Sequence, residues 1–124
     1  MRNIFFLAFL LSIFACDKAD TDVTESKGKI LFYSDVFVVA NCEIDNVSIF
    51  IDNEYKGKLT SSYLPLDEIP SEEDMGVLVV ELPVGNHSYS AKISGCNTNQ
   101  WNGAVTVKES SIEKVNLSLS TSTP

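Results

Sequence analysis

The order of hydrophobic and polar positions predicts a chain built from short β-strands. β-Branched and aromatic residues come in short runs between turn residues, and no apolar stripe with the 3.6-residue helical period persists for three turns. Residues 87–93 show the cleanest two-residue alternation, which is typical of a strand with one buried face. About seven such segments, with turns at regular intervals, predict one all-β domain, a small antiparallel β-sandwich over residues 29–119.

The strand boundaries follow from the same pattern. The predicted strands are 29–39 (one long bent strand or two short ones), 47–51, 55–60, 76–82, 87–93, 101–107 and 112–119. Asp52-Asn53-Glu54 predicts a hairpin between the second and third of them, and residues 109–111 are expected to join the last two as a pair. Val105 and Val107 should then face Val115, Leu117 and Leu119 in the core.

The first residues have the pattern of a secretory signal. Arg2 supplies a positive charge, residues 4–14 form an apolar run, and the small residue Ala15 precedes Cys16. A transmembrane helix needs roughly 20 apolar residues, so this run is too short to span a bilayer. Residues 13–16, IFAC, resemble the lipobox of bacterial lipoproteins, which implies cleavage before Cys16 and lipid on that cysteine. Ordinary secretion with cleavage near Ala15 is the alternative.

Composition supports a short stalk after the signal. Residues 17–28, DKADTDVTESKG, are charged, carry no aromatic side chain and cannot bury enough apolar surface to order themselves. We therefore predict a signal peptide over 1–15, a lipidated cysteine with a flexible acidic stalk over 16–28, the sandwich, and a disordered tail over 120–124. The acidic residues directly after Cys16 resemble surface-export signals of lipoproteins from Bacteroidota, which implies the outer membrane or cell surface. A location facing the periplasm is the alternative.

The charge balance excludes some partners. The formal net charge is −8, and such a surface repels phosphate backbones and anionic headgroups. Nucleic acid is therefore not an expected partner. Membrane attachment is expected only through lipid at Cys16, and an unidentified protein or glycan is the expected partner of the domain.

Two turn motifs carry a further resemblance. Residues 51–60, IDNEYKGKLT, resemble the I-D-G-x-x-x-G-x-T hairpin of PEGA-type domains, and residues 82–87, LPVGNH, resemble the L-x-x-G-x-H turn that follows it. The wider outline, including Asn41-Cys42 and a W-x-G-x-V strand, is similar to small lipoproteins of Bacteroidota. The resemblance implies a β-sandwich without catalytic residues. Asn53 stands where those domains have glycine, and residues 61–74 have no counterpart in them.

The three cysteines divide between two roles. With Cys16 assigned to lipid, Cys42 and Cys96 form an even pair in a chain that leaves the reducing cytosol, and such pairs usually form disulfides. In the chain-entropy model the closed loop contributes about 4 kcal/mol. Two free thiols are the alternative.

The connection over residues 61–74 is the strongest candidate for binding. It is long, contains Asp67 and Glu68 among several acidic residues, and has no basic residue. The acids lack a D-x-D-x-D-G spacing, so a solvated loop is expected rather than a calcium site. Tyr63, Leu64 and Leu66 are expected to dock the connection on the sandwich.

No catalytic motif accompanies these features. His87 is the one histidine, and its expected role is a hydrogen-bonded residue beside a turn, with no nucleophile or metal partner at motif spacing. Trp101 is expected to cover the core, with a stacking platform for sugar as the alternative. The sequence thus predicts a non-enzymatic, lipid-anchored interaction module without a cofactor. A carbohydrate-binding accessory or cryptic hydrolase, using Trp101 and residues 61–74, is the alternative.

Overall fold

The chain forms two β-sheets, as a computed structural model describes for residues 25–96 and 98–123. The predicted signal peptide, Cys16 and most of the stalk lie outside the described residues. The elements are β1 (Lys27–Ser34), a one-turn helix α1 (Val36–Val39), β2 (Ile44–Ile51), β3 (Glu54–Leu59), β4 (Val77–Pro83), β5 (Gly85–Gly95), β6 (Gln100–Val107), β7 (Ile112–Leu117) and a short 3₁₀ turn (Leu119–Thr121). The prediction of a small all-β sandwich is confirmed.

The strands divide unequally between the sheets. Sheet A has the order β4-β1-β7 and sheet B the order β3-β2-β5-β6. All neighbouring strands run antiparallel except β1 and β7, which are parallel. The sandwich is therefore not purely antiparallel.

The predicted pairing of the last two strands is wrong. β6 pairs with β5, whereas β7 joins β1 in the other sheet. The intervening turn is bonded to β1, since Ser110 N donates to Lys27 O at 3.0 Å and Lys29 N donates to Ser111 O at 2.9 Å. Because the turn is bonded to β1, the chain crosses from β6 in sheet B to β7 in sheet A and does not form a hairpin.

The predicted hairpin after β2 is confirmed. Ile51 pairs with Glu54, and the two residues between them, Asp52 and Asn53, have φ angles of 51° and 67°. Positive φ at both central positions is the mark of a type I′ turn, whose twist matches that of the flanking strands. Asp and Asn tolerate this conformation better than most residues that have a side chain.

The core lies between the two sheets and receives side chains from both. Val107 and Leu117 are fully buried members of this core, and Val105, Val115 and Leu119 pack against it as partly buried residues, which confirms that the two segments share the core. Trp101 also belongs to this cluster.

Residues 36–39 are not the strand that their apolar character suggests. They form α1, because Ser34 Oγ accepts a hydrogen bond from Val36 N at 3.1 Å and Asp35 O accepts bonds from Val38 N and Val39 N. A run of so few apolar residues has no resolvable period, so strand and helix cannot be distinguished from the pattern. Val36 is buried and joins the core, whereas Val38 and Val39 are exposed.

Both ends of the domain also differ from the prediction. β1 begins at Lys27, so the last residues assigned to the stalk belong to the sheet. In the tail, Gln100 N donates to Thr123 O and Thr123 N donates to Gln100 O, each at 2.8 Å. This backbone pairing with the start of β6 fixes a segment that its polar composition predicts to be disordered.

Candidate functional site

Residues 60–76 join β3 to β4 and are called the acidic connection below. Its two ends lie against each other and against α1. Ser62 Oγ accepts a hydrogen bond from Phe37 N at 3.2 Å. Gly76 has a φ of 80°, and a Cβ added there would lie 2.7 Å from Ser62 O. Glycine is therefore required where the ends meet.

One side of the acidic connection covers the outer face of sheet A. Tyr63 is buried and makes an edge-to-face contact with Tyr33, with ring centroids 6.2 Å apart, and Pro70 is fully buried. Glu72 Oε2 lies 3.1 Å from Lys29 Nζ. Leu31 lies between Lys29 and Tyr33 on that face and is fully buried. The connection thus forms a partial third layer over β1.

The other side presents large apolar side chains to solvent. The exposed fractions are 63% for Leu64, 46% for Leu66, 68% for Ile69 and 88% for Met75. The expectation that Leu64 and Leu66 dock the connection is wrong, whereas that for Tyr63 is confirmed. Tyr63 and Pro70 occupy the positions against the sandwich, so the neighbouring leucines face outward.

Carboxylates stand between these apolar residues. Asp67 and Glu68 are exposed, and Ser71 N donates to Asp74 Oδ2 at 2.7 Å. Burial raises the pKa of Tyr63, and the nearby charges of Asp74 and Glu68 raise it further. Within the described ranges, no three histidine, cysteine or acidic residues lie close enough together to hold a metal ion.

A hollow opens between the two limbs of the acidic connection. Its volume is about 590 Å³, and Leu64, Pro65, Met75 and Asp74 are among the residues that line it. The lining is mostly apolar, with one carboxylate. Such a hollow suits a long side chain with an apolar stem and a cationic head.

A second polar cluster lies at the β2–β3 turn. His87 Nδ1 is 2.6 Å from Asp52 Oδ2, and His87 Nε2 is 2.8 Å from Pro83 O. Asp52 Oδ1 accepts a hydrogen bond from Ser88 N at 3.0 Å. The pairing of β2 with β5 brings these residues together, because Ile51 lies opposite Tyr89.

This geometry favours a charged His87. Both ring nitrogens face acceptors, so two N–H donors satisfy the site better than one. The hydrogen bond with Asp52 raises the pKa of His87, and the Pro83 carbonyl raises it further. The hydrogen bond from His87 in turn lowers the pKa of Asp52, as does the bond from Ser88 N. The expected hydrogen-bonded role beside a turn is confirmed for His87.

The pair does not form a catalytic triad. A triad histidine accepts the proton of a nucleophile on one nitrogen, whereas both nitrogens of His87 are engaged, one by a carboxylate and one by a carbonyl. The Ser88 hydroxyl lies 3.4 Å from Asp52 Oδ1. Its bond is to the carboxylate and not to the imidazole.

Trp101 lies in the core, as expected. The residue is 5% exposed, and its indole Nε1 donates to Ser118 O at 2.8 Å. Stacking on a sugar requires an exposed ring face, which Trp101 does not offer.

Cys42 and Cys96 form a disulfide, which confirms the predicted pairing. Their Cα atoms are 6.0 Å apart. Cys42 lies just before β2 and Cys96 just after β5, at the end where these two strands start and finish. Cys96 N also donates to Glu43 O at 3.1 Å. The disulfide therefore closes one end of sheet B.

The sequence indicated only part of this site. The sequence predicts a turn at Asp52 but not its contact with His87, because 35 positions separate the two residues and only the register of β2 and β5 brings them together. Ile69 and Met75 were also missed. Their signal was present as apolar residues within an acidic segment, but the pattern alone does not tell which of them face the sandwich.

Fold and site together define a small disulfide-linked β-sandwich with an ordered acidic connection over one sheet. A comparison with known proteins finds no family model that matches the chain, and no curated protein that matches it. Among residues 25–96 and 98–123, no helix is long and apolar enough to cross a membrane.

Proposed function

We propose that the chain is a lipid-anchored, non-catalytic β-sandwich that presents a binding surface in the cell envelope or at the cell surface. The observation that carries this proposal is the N-terminal order of Arg2, an apolar run and Ala15-Cys16. This order resembles a lipoprotein signal, whose cleavage before Cys16 would leave that cysteine at the amino terminus of the mature chain.

The disulfide supports an oxidising location. Cys42 and Cys96 are bonded, and disulfides persist in secreted and envelope proteins but are rare in the cytosol. A compartment outside the cytosol is also where a lipoprotein signal would deliver the chain. The pairing leaves Cys16 free for lipid.

The polar cluster supports a non-catalytic role. Both ring nitrogens of His87 are bonded to acceptors. The charged pair that His87 forms with Asp52 links the β2–β3 turn to β5. The acidic connection offers surface for binding instead, since it holds apolar and acidic side chains outward. The resemblance of residues 51–60 and 82–87 to PEGA-type domains agrees with this role.

The test is the intact mass and the membrane partition of the native protein from a bacterial host. We expect a chain that begins at Cys16, carries acyl chains and partitions into the detergent phase. Cys16→Ser should abolish the added mass and release the protein. The matched control is a Cys42→Ser/Cys96→Ser double variant, which should stay lipidated. A soluble, unmodified mature chain would contradict the proposal and indicate ordinary secretion.

Surface protease treatment of whole cells then separates the two locations. Cleavage of the displayed domain in intact cells indicates the outer surface, and cleavage only after permeabilisation indicates the periplasmic side. Either result is compatible with anchoring through Cys16.

A further inference from the structure

We infer that the outward side of the acidic connection binds an extended segment of a partner protein in which cationic and apolar side chains alternate. This inference rests on the proposed role of the domain as a presenting module. It names the surface and the chemistry of the partner.

Exposure singles out this surface. Leu64, Ile69 and Met75 are the three most exposed large apolar side chains in the described part of the chain, and all three lie on the acidic connection with Leu66. Other exposed apolar residues are distributed over α1 and several strands and turns. Isolated apolar residues are ordinary on a protein surface, whereas adjoining exposed apolar side chains, such as Leu64 and Met75 around one hollow, are typical of an interaction site.

The connection holds these residues in a fixed arrangement. Ser62 is bonded to Phe37 N, Tyr63 and Pro70 are buried, and Glu72 pairs with Lys29. Gly76 closes the base against the backbone of Ser62. Because the connection is already ordered in the free protein, a partner need not supply the free energy of ordering it.

Charge selects the partner. Residues 61–74 contain five carboxylates and no basic residue, and the neighbouring Lys29 is already paired with Glu72. A cationic segment is therefore attracted, whereas nucleic acid and anionic lipid are repelled. A second copy of this chain is disfavoured too, since the formal net charge is −8 and the two surfaces would carry charge of the same sign.

The hollow gives the contact a defined position. Leu64 and Met75 line it together with Asp74. A lysine or arginine can lay its methylene stem on the two apolar side chains and place its charged head against the carboxylate. Both hydrogen bonds from Ser71 end on Asp74 Oδ2. Within residues 25–96 and 98–123, no hydrogen bond engages Oδ1, which is thus available to the incoming cation.

Binding is tested on the full lipidated chain in detergent by fluorescence anisotropy. The probe is a short labelled peptide of alternating lysine and leucine. Two control peptides replace every lysine by glutamate or every leucine by serine. We expect binding of the first peptide only, and weaker binding as the salt concentration rises.

Two variants and a control locate the contact. Leu64→Ser/Met75→Ser should weaken binding about tenfold or more, which corresponds to about 1.4 kcal/mol. Glu68→Gln/Asp74→Asn should weaken it about threefold at low salt. The control Val84→Ser/Ile112→Ser removes two exposed apolar side chains elsewhere and should leave the affinity unchanged. Equal thermal unfolding midpoints show that the variants are folded.

Four results would overturn the inference. They are no binding of the lysine–leucine peptide, equal binding of the glutamate–leucine peptide, equal loss in the control variant, and self-association in sedimentation that Leu64→Ser/Met75→Ser abolishes. The last result would assign the surface to a second copy. Cys16→Ser should bind the peptide normally, so failure of the anchor and failure of this surface can be distinguished.

Discussion

The outer faces of the two sheets differ, although each belongs to the same small sandwich. The outer face of sheet B is open and carries polar side chains such as Ser90 and Lys92, with Lys92 Nζ 5.5 Å from the centre of the Phe50 ring. The outer face of sheet A is covered by the acidic connection, so that Leu31 is as inaccessible as the core residues beside it. Sheet B needs no cover because buried and polar residues alternate along its strands. Sheet A needs a third layer because β1 also has an apolar residue, Leu31, on its outer face.

The difference shows that the acidic connection has two sides with separate roles. Its inner side completes the burial of β1 through Tyr63 and Pro70, and its outer side presents Leu64 and Met75. A purely solvated loop would require neither set of residues. The acidic connection therefore has a structural role and offers a surface at the same time.

The largest effect on stability should come from removal of the disulfide, which links only sheet B. Replacing Cys42 and Cys96 by serine should lower the free energy of unfolding by about 4 kcal/mol, because 54 positions separate them and the open chain gains conformational entropy. Both cysteines are exposed, so little packing is lost. Denaturant titration of the oxidised protein and the double variant measures the difference. A loss below about 1 kcal/mol would show that packing alone holds the end of sheet B.

The next largest loss of stability is expected where the acidic connection covers sheet A. Leu31→Ala should cost about 3 kcal/mol, because a fully buried leucine is removed from beneath the acidic connection. Ser90→Ala is the matched change on the open face of sheet B and should stay within about 0.5 kcal/mol. Comparable losses in both variants would mean that the two outer faces do not differ in the way their burial indicates.

A smaller effect is expected where the ends of the acidic connection meet. Gly76→Ala should cost about 1–3 kcal/mol, because the new Cβ would lie 2.7 Å from Ser62 O at a φ of 80°. Gly85→Ala is the control, since Gly85 also has a positive φ but has no atom within 4 Å of an added Cβ. Both variants share the backbone strain of a positive φ. Thermal denaturation that finds equal costs would rule out the close approach as the cause.

The sequence predicted sheet B better than sheet A, for a physical reason. β2 and β5 alternate cleanly because one face meets solvent. The β2–β3 turn has a local signal at Asp52-Asn53, and the disulfide that links the ends of β2 and β5 has one in its two cysteines. β1 is buried on both faces, so its pattern does not show that a distant segment covers it. The parallel pairing of β7 with β1 is equally invisible, since no local turn specifies it.

The site was predicted in the same uneven way. The acidic connection was recognised from its length and charge, but the division of its residues between inner and outer sides depends on where Tyr63 and Pro70 meet sheet A. Alternation cannot decide this outside regular structure. The Asp52–His87 contact likewise depends on strand register, which a pair of residues 35 positions apart does not reveal.

The smallest effect concerns the Asp52–His87 pair at the turn of sheet B, where the carboxylate is exposed to solvent. The hydrogen bond to Asp52 raises the pKa of His87, so its stabilising contribution is complete below the ordinary value of 6.5 and is lost as the pH rises through the folded pKa. The pKa of Asp52 is lowered, so its contribution is present above 3.8 and is lost as the pH falls through the folded value. Between these limits both groups are charged.

NMR titration of the His87 ring measures the pKa of His87 in the folded protein directly. We expect a midpoint above 6.5 in the native protein and a lower midpoint in Asp52→Asn, in which the neighbouring charge is removed. The free energy of unfolding should decrease as the pH rises above 6.5 in the native protein, and His87→Gln should remove that dependence, since the chain has one histidine. A native midpoint at or below 6.5 would mean that the turn of sheet B is held by neutral hydrogen bonds. The disulfide between Cys42 and Cys96, which does not depend on the protonation of His87, would then be the constraint on sheet B that persists unchanged across this pH range.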